Sequence, residues 1–144
     1  MSVIPMIQER RCRRSASTYE AIFYQLEHVL RLHGLRNFTL SDANGLVLAQ
    51  AGWDDESQTL AAYAPVLAKC TDRHRRDEVV EEMNTLLELG EDGEESVQAR
   101  SFFVDGERLF LCLIGEPGAA LDACLYRALT GIRRIFREDD RRAS

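Results

Sequence analysis

Apolar and polar positions alternate along this chain with two different periods. Ile22, Leu26, Val29 and Leu30 recur every three or four residues, which places them on one face of a helix. Ser17 and Glu20 have the spacing of a capping box, so the pattern predicts a helix start there. Arg31 and His33 fall in its last turn, and Gly34 sits where a left-handed cap ends a helix. In "NFTLSDANGLVLAQAG", residues 37 to 52, the period changes to two: Phe38 and Leu40 alternate with Thr39 and Ser41. Asp42, Ala43, Asn44 and Gly45 supply turn chemistry, and an apolar run over 46–51 follows, so the stretch predicts an antiparallel hairpin. Its question is whether the hairpin floors a pocket or supports a surface that holds another protein.

After Gly52 and Trp53, the acids Asp54, Asp55 and Glu56 suit a helix N-terminus, where they face its partial positive charge. Leu60, Tyr63, Leu67 and Cys70 then form one stripe, although Pro65 removes a backbone donor and should kink or divide the helix. From Asp72 the chain becomes strongly charged. Asp72 with Arg76 and Arg73 with Asp77 are spaced for ion pairs, beside a stripe of Val79, Met83, Leu86 and Leu87, predicting an exposed amphipathic helix over 75–89. An acidic loop leads into two runs, 97–104 and 109–114, joined by Asp105-Gly106, a strong hairpin signal. "LFLCLI" is apolar on both faces and predicts a central strand covered on both sides. Leu121, Leu125, Ala128, Ile132 and Ile135 mark a closing helix with Arg133, Arg134 and Arg137 near its C-terminal end. Runs of antiparallel strands with helices between them predict an α+β fold: two hairpins forming one sheet, helices packed on it, and an extra charged helix. The chain divides into a basic N-terminal tail (1–16), one domain (17–138) and a short C-terminal tail (139–144).

Charge and composition narrow the chemistry. The net charge is −6, with acid concentrated between Asp72 and Glu95 and a basic cluster of Arg10, Arg11, Arg13 and Arg14 near the N-terminus. A nucleic-acid partner is not expected, because phosphate binding needs a basic face on the folded domain. No stretch reaches the ~20 apolar residues of a membrane span. In "MSVIPMIQERRCRR" the charges follow a short apolar piece, the wrong order for a secretory signal, so a cytoplasmic location is expected. Cys12, Cys70, Cys112 and Cys124 lie far apart and suggest neither a disulfide framework nor a zinc ribbon. Cys112 and Cys124 fall on buried faces, where a thiolate is disfavoured. His28 and His33 have no acidic or cysteine partner at ligand spacing. Cys70 and His74, four apart, are the nearest approach to a metal pair, but two ligands do not make a zinc site. "GEPGAA" lacks the lysine and hydroxyl of a phosphate-binding loop, and neither H-E-x-x-H nor G-x-S-x-G occurs. Gly131, inside a helix, either permits a close approach to the sheet or is an ordinary surface position. No catalytic residue, cofactor or metal is expected.

Taken in this order, "FTLSDANGLVLAQAG", "LAAYAPVLAK", "FFVDGERLFLCLIGE" and "RALTGIRRIF" resemble the Roadblock family, named for dynein light chains and related to longin and profilin-like domains. The similarity spans roughly residues 17 to 137. It implies a sheet flanked by helices, homodimerisation through a helix and a sheet edge and, in bacterial members, action on small Ras-like GTPases as activators or scaffolds. Such members usually have three strands after the middle helix, whereas two are predicted here. Together these readings predict a non-enzymatic, dimeric regulatory or scaffold protein that binds a partner protein, with a small Ras-like GTPase as the implied partner. Leu60, Tyr63 and Leu67 are the candidate self-contact; the competing reading packs them on the sheet. Two rival functions fit the same elements. One is a small-molecule sensor with Phe38, Trp53 and Phe103 lining a pocket, and the other is an acidic dimeric secretion chaperone.

Overall fold

The computed structural model describes residues 16–52, 54–87, 96–116 and 120–143. The elements run α1 (Ala16–His33), β1 (Asn37–Asp42), β2 (Val47–Gly52), α2 (Asp54–Lys69), α3 (Arg73–Leu87), β3 (Ser96–Val104), β4 (Glu107–Gly115) and α4 (Leu121–Ala143). The strands form one antiparallel sheet in the order β2-β1-β4-β3, so two hairpins meet along β1 and β4. This is the α+β architecture that the alternating periods predict, including the extra charged helix.

Strand β4 explains how the layers form. Leu109 through Ile114 are all buried, and alternation sends successive side chains to opposite faces. Leu109, Leu111 and Leu113 pack with Ile22, Leu26 and Val29 of α1 and with Leu125, Ala128 and Ile132 of α4. Phe110, Cys112 and Ile114 pack with Leu60, Ala64 and Leu67 of α2 and with Val79, Met83 and Leu87 of α3. Each fully buried leucine contributes about 2 kcal/mol of apolar transfer, so a strand covered twice anchors both layers.

Local signals account for the connections. At the end of α1, Leu35 N–H donates to Leu30 O at 2.9 Å across Gly34, whose φ is +64°, closing a Schellman cap. In the β1–β2 turn the Asp42 carboxylate accepts from the N–H groups of Asn44 and Leu46 at 2.8 and 3.0 Å. Asp105 and Gly106 take φ of 53° and 79°, the left-handed pair that joins β3 to β4 with the twist of the strands.

Several expectations are revised. Helix α1 begins at Ala16, one residue before the capping-box serine, and α4 runs on to Ala143, past the boundary placed at 138. There Thr18 Oγ1 donates to Asp139 Oδ1 at 2.7 Å, tying the start of α1 to the last turns of α4. Pro65 does not divide α2, which is one continuous helix. An interior proline costs about 3 kcal/mol, and the burial of Leu60, Ala61, Ala64 and Leu67 around it offsets that loss. Helix α3 spans Arg73–Leu87 and buries Val79, Met83 and Leu87, but Leu86 points to solvent. Gly131 approaches a helix and not the sheet: an added Cβ would lie 2.6 Å from the Gln25 amide of α1.

Candidate protein-interaction surface

The two sides of α2 have different roles. Leu60 and Leu67, expected to reach toward a second copy, are in the core against β4. They pack on the sheet because α2 crosses it with this stripe inward. Tyr63 is half-buried beside them. Its hydroxyl pairs with Glu82 of α3, and that hydrogen bond, followed by desolvation, raises its pKa above the ordinary tyrosine value. What α2 shows to solvent is the opposite side, with Ala62, Val66 and Lys69 exposed.

Beneath the first half of α2 the sheet is polar. Alternation along β1 turns Asn37, Thr39 and Ser41 toward α2, and all three are buried. Thr39 Oγ1 donates to Asn37 Oδ1 at 2.7 Å and lies 3.2 Å from Ser57 Oγ of α2. Ser57 in turn donates to Gln50 Oε1 of β2 at 3.1 Å. A few residues away, Arg36 and Glu56 form an ion pair at 2.5 Å, with the glutamate side chain only 7% exposed. The same arginine donates to Leu87 O at 3.1 Å, so one guanidinium holds the start of α2 and the end of α3 against the sheet. Sequence reasoning assigned Glu56 to the helix dipole alone. Its position shortly after the second strand and Arg36 just before β1 were the available signal, but only the hairpin register brings them together.

Helix α3 is fixed by caps, not by the ion pairs its spacing suggested. Asp72 Oδ1 accepts from His74 N–H at 3.1 Å, the geometry of an N-cap. Arg76 reaches Val97 O of β3 at 3.2 Å in place of Asp72, while Glu78 takes His74 at 3.1 Å and Arg75 at 3.3 Å. Cys70 lies before the helix and His74 within it, so they do not share a helical face. No group of three or more potential metal ligands occurs among the described residues. The Cys112 thiol is pushed up to about 12 by complete burial, and burial also raises Cys124, so neither is a nucleophile near neutral pH.

The aromatic pocket does not assemble from its described members. Phe38 is fully buried between β1 and the α1/α4 layer, whereas Phe103 is 65% exposed and lies on the opposite face of the sheet. Trp53 falls outside the described residues. Two shallow cavities lie at the margins. One, of about 380 Å³, is bounded by Val66, Lys69, Cys70 and Arg75 at the α2–α3 joint. The other, of about 330 Å³, lies between the β3–β4 turn and α4 and is lined by Phe103, Val104, Asp105, Arg133, Phe136, Arg137 and Asp140.

Among the described residues, these features define an α+β fold whose sheet is covered on both faces by helices, with outer helix surfaces, strand edges and the two marginal cavities facing solvent. No protein-family model matches the chain, and no curated protein matches it. Among solved structures, it is similar to the gliding protein MglB from Thermus thermophilus, with 23% identity over 86% of this chain and 94% of that one, at a TM-score of 0.49. It is also similar to Myxococcus xanthus MglB, with 12% identity over 85% and 90% and a TM-score of 0.48. A third similar structure, MglB with a tetrameric arrangement, shares 20% identity over 87% and 94%, at a TM-score of 0.48. No described helix is long and apolar enough to cross a membrane.

Proposed function

We propose that this chain is a non-enzymatic regulatory or scaffold protein of the cytoplasm, dimeric, whose partner is a small Ras-like GTPase. The observation that carries the reading is the double closure of the sheet: Phe38, Leu60, Leu111 and Ile114 are completely buried, so recognition takes place on outer surfaces. The element order and the four motifs that resemble the Roadblock family supply the GTPase. Self-contact is assigned to the outward side of α2, around Ala62 and Val66, in place of the buried Leu60 and Leu67 and the half-buried Tyr63. The sensor reading loses ground because Phe38 and Phe103 lie on opposite faces.

The test is native mass spectrometry of the untagged protein, alone and with Ras-like GTPases of the same organism loaded with GTP or GDP. A ligand-free dimer that captures one nucleotide state of a GTPase supports the proposal. A monomer that retains a stoichiometric small molecule overturns it. Any acceleration of GTP hydrolysis would be read from single-turnover assays, because a regulator acts by ordering the GTPase's own machinery or by lending an arginine.

A further inference from the structure

The two edges of the sheet are finished differently. Strand β2 is six residues long and its register with β1 shifts between Leu40 and Ser41, a bulge of the kind that blunts an edge. Strand β3 runs nine residues in unbroken register with β4, from Ser96 opposite Gly115 to Val104 opposite Glu107. A two-residue turn makes Val104 and Glu107 a doubly bonded pair, so alternation points the N–H and C=O groups of Val97, Ala99, Ser101 and Phe103 away from β4. Arg76 bonds the carbonyl of Val97. Among the described residues nothing bonds the outward backbone groups of Ala99, Ser101 and Phe103.

Arginines flank this open stretch on both faces. Arg100 shares the α4 face with Phe102 and Val104, and Arg133 and Arg137, one helical turn apart, line the cavity at the end of the strand. On the α2 face, Arg108 lies over the rings of Phe103 and Phe110, 5.6 and 5.8 Å from their centroids, and donates to Ser101 Oγ at 3.1 Å. None of these four arginines makes an ion pair among the described residues, although the chain carries a net charge of −6. Asp105 and Asp140 share the cavity rim with Arg133 and Arg137, and this mixed charge disfavours a polyphosphate there. A second copy paired on this edge would bring like-charged arginines together.

We infer that the β3 edge from Ala99 to Phe103 is a strand-addition site for an extended acidic segment of a partner protein. The segment's backbone pairs with Ala99, Ser101 and Phe103. Its carboxylates, on alternate residues, meet Arg100, Arg133 and Arg137, and its intervening side chains cover the ring of Phe103. The inference rests on reading the chain as a protein-binding module but not on the partner being a GTPase.

The test uses fluorescence polarisation with a labelled nine-residue peptide alternating threonine and glutamate. The wild-type chain is expected to bind it, and to bind the threonine–lysine counterpart at least tenfold more weakly. Arg133→Glu with Arg137→Glu should weaken binding at least tenfold. Ser101→Pro, which removes an outward N–H without touching the β4 ladder, should do the same. As a check that needs no variant, the peptide N-methylated at alternate amides should bind in one phase and fail in the other. Equal binding of both charge types, or indifference to N-methylation in either phase, overturns the inference. So does a wild-type dimer that Ser101→Pro converts to a monomer in sedimentation, since a second copy would then fill the edge. A chain that captures a GTPase yet ignores the peptide overturns this inference alone. A chain that binds the peptide at β3 without capturing a GTPase supports it and removes the GTPase reading.

Discussion

Strand β1 presents opposite chemistries to its two sides. Toward α1 and α4 it offers Phe38 and Leu40, both completely buried; toward α2 it offers Asn37, Thr39 and Ser41, equally buried. The apolar side gains free energy roughly in proportion to the area removed from water, and any helix with a matching stripe could supply the cover. The polar side gains little net energy, because its hydrogen bonds replace ones to water. It gains position instead: the Thr39–Ser57–Gln50 chain and the Arg36–Glu56 pair are satisfied only when α2 sits in one place. One face of the sheet supplies stability and the other supplies registration of the helix whose outer side is proposed to meet a second copy.

That contrast can be broken by substitution. Phe38→Ala should cost the most, about 3–5 kcal/mol in urea unfolding, because the cavity lies in a layer packed from two helices. Glu56→Gln should cost about 2 kcal/mol, less than a fully buried pair, since the Arg36 side chain keeps 24% of its exposure. If the pair serves to position α2, the double change Arg36→Met with Glu56→Leu should recover most of that stability while leaving amide exchange along α2 faster than in the wild type. Thr39→Val should cost about 1 kcal/mol, and its main readout is the same loosening of α2 with the α1/α4 layer unchanged. The smallest effect is expected from Gly131→Ala. The gain in helix propensity is about 1 kcal/mol, and displacing the flexible end of Gln25 offsets part of it. Thermal unfolding should therefore shift little, whereas a loss above about 2 kcal/mol would show that the α1–α4 contact is as exacting as the polar face.

Much of this architecture was legible from periodicity. Ile22, Leu26 and Val29 are buried as a stripe because a period of 3.6 leaves few alternatives, and Asp105-Gly106 is a turn because the left-handed pair suits few other residues. The stripe Leu60, Tyr63 and Leu67 was equally visible, but periodicity reports that a face is apolar and not what covers it. Here the cover is the sheet and α3. The Arg36–Glu56 pair and the reach of Arg76 to Val97 were invisible for a related reason. Both depend on the strand order and on the path of α3 across the end of the sheet, which distant parts of the chain decide jointly. That β3 ends the sheet among the described residues was likewise hidden, since nothing in a strand's own residues says whether a neighbour lies beyond it.

Pairing β1 with β4 sets the order in which the protein can be made. Phe38 stands opposite Leu113 and Leu40 opposite Leu111, yet α2, α3 and β3 are synthesised between them. During translation the first hairpin emerges after α1, which can cover part of the apolar side of β1, but the share of that side covered by α4 and the edge that pairs with β4 stay open until those elements arrive. The nascent chain therefore carries an incompletely covered half-sheet until β4 and α4 are made, and its folding rate is governed by closing that long loop. Moving the second hairpin ahead of the first by circular permutation would not shorten the wait, because α4 and α1 would then lie between β4 and β1. A rearranged chain with a short linker placing β4 directly before β1 would shorten it. Such a chain should fold faster and aggregate less at the same final stability.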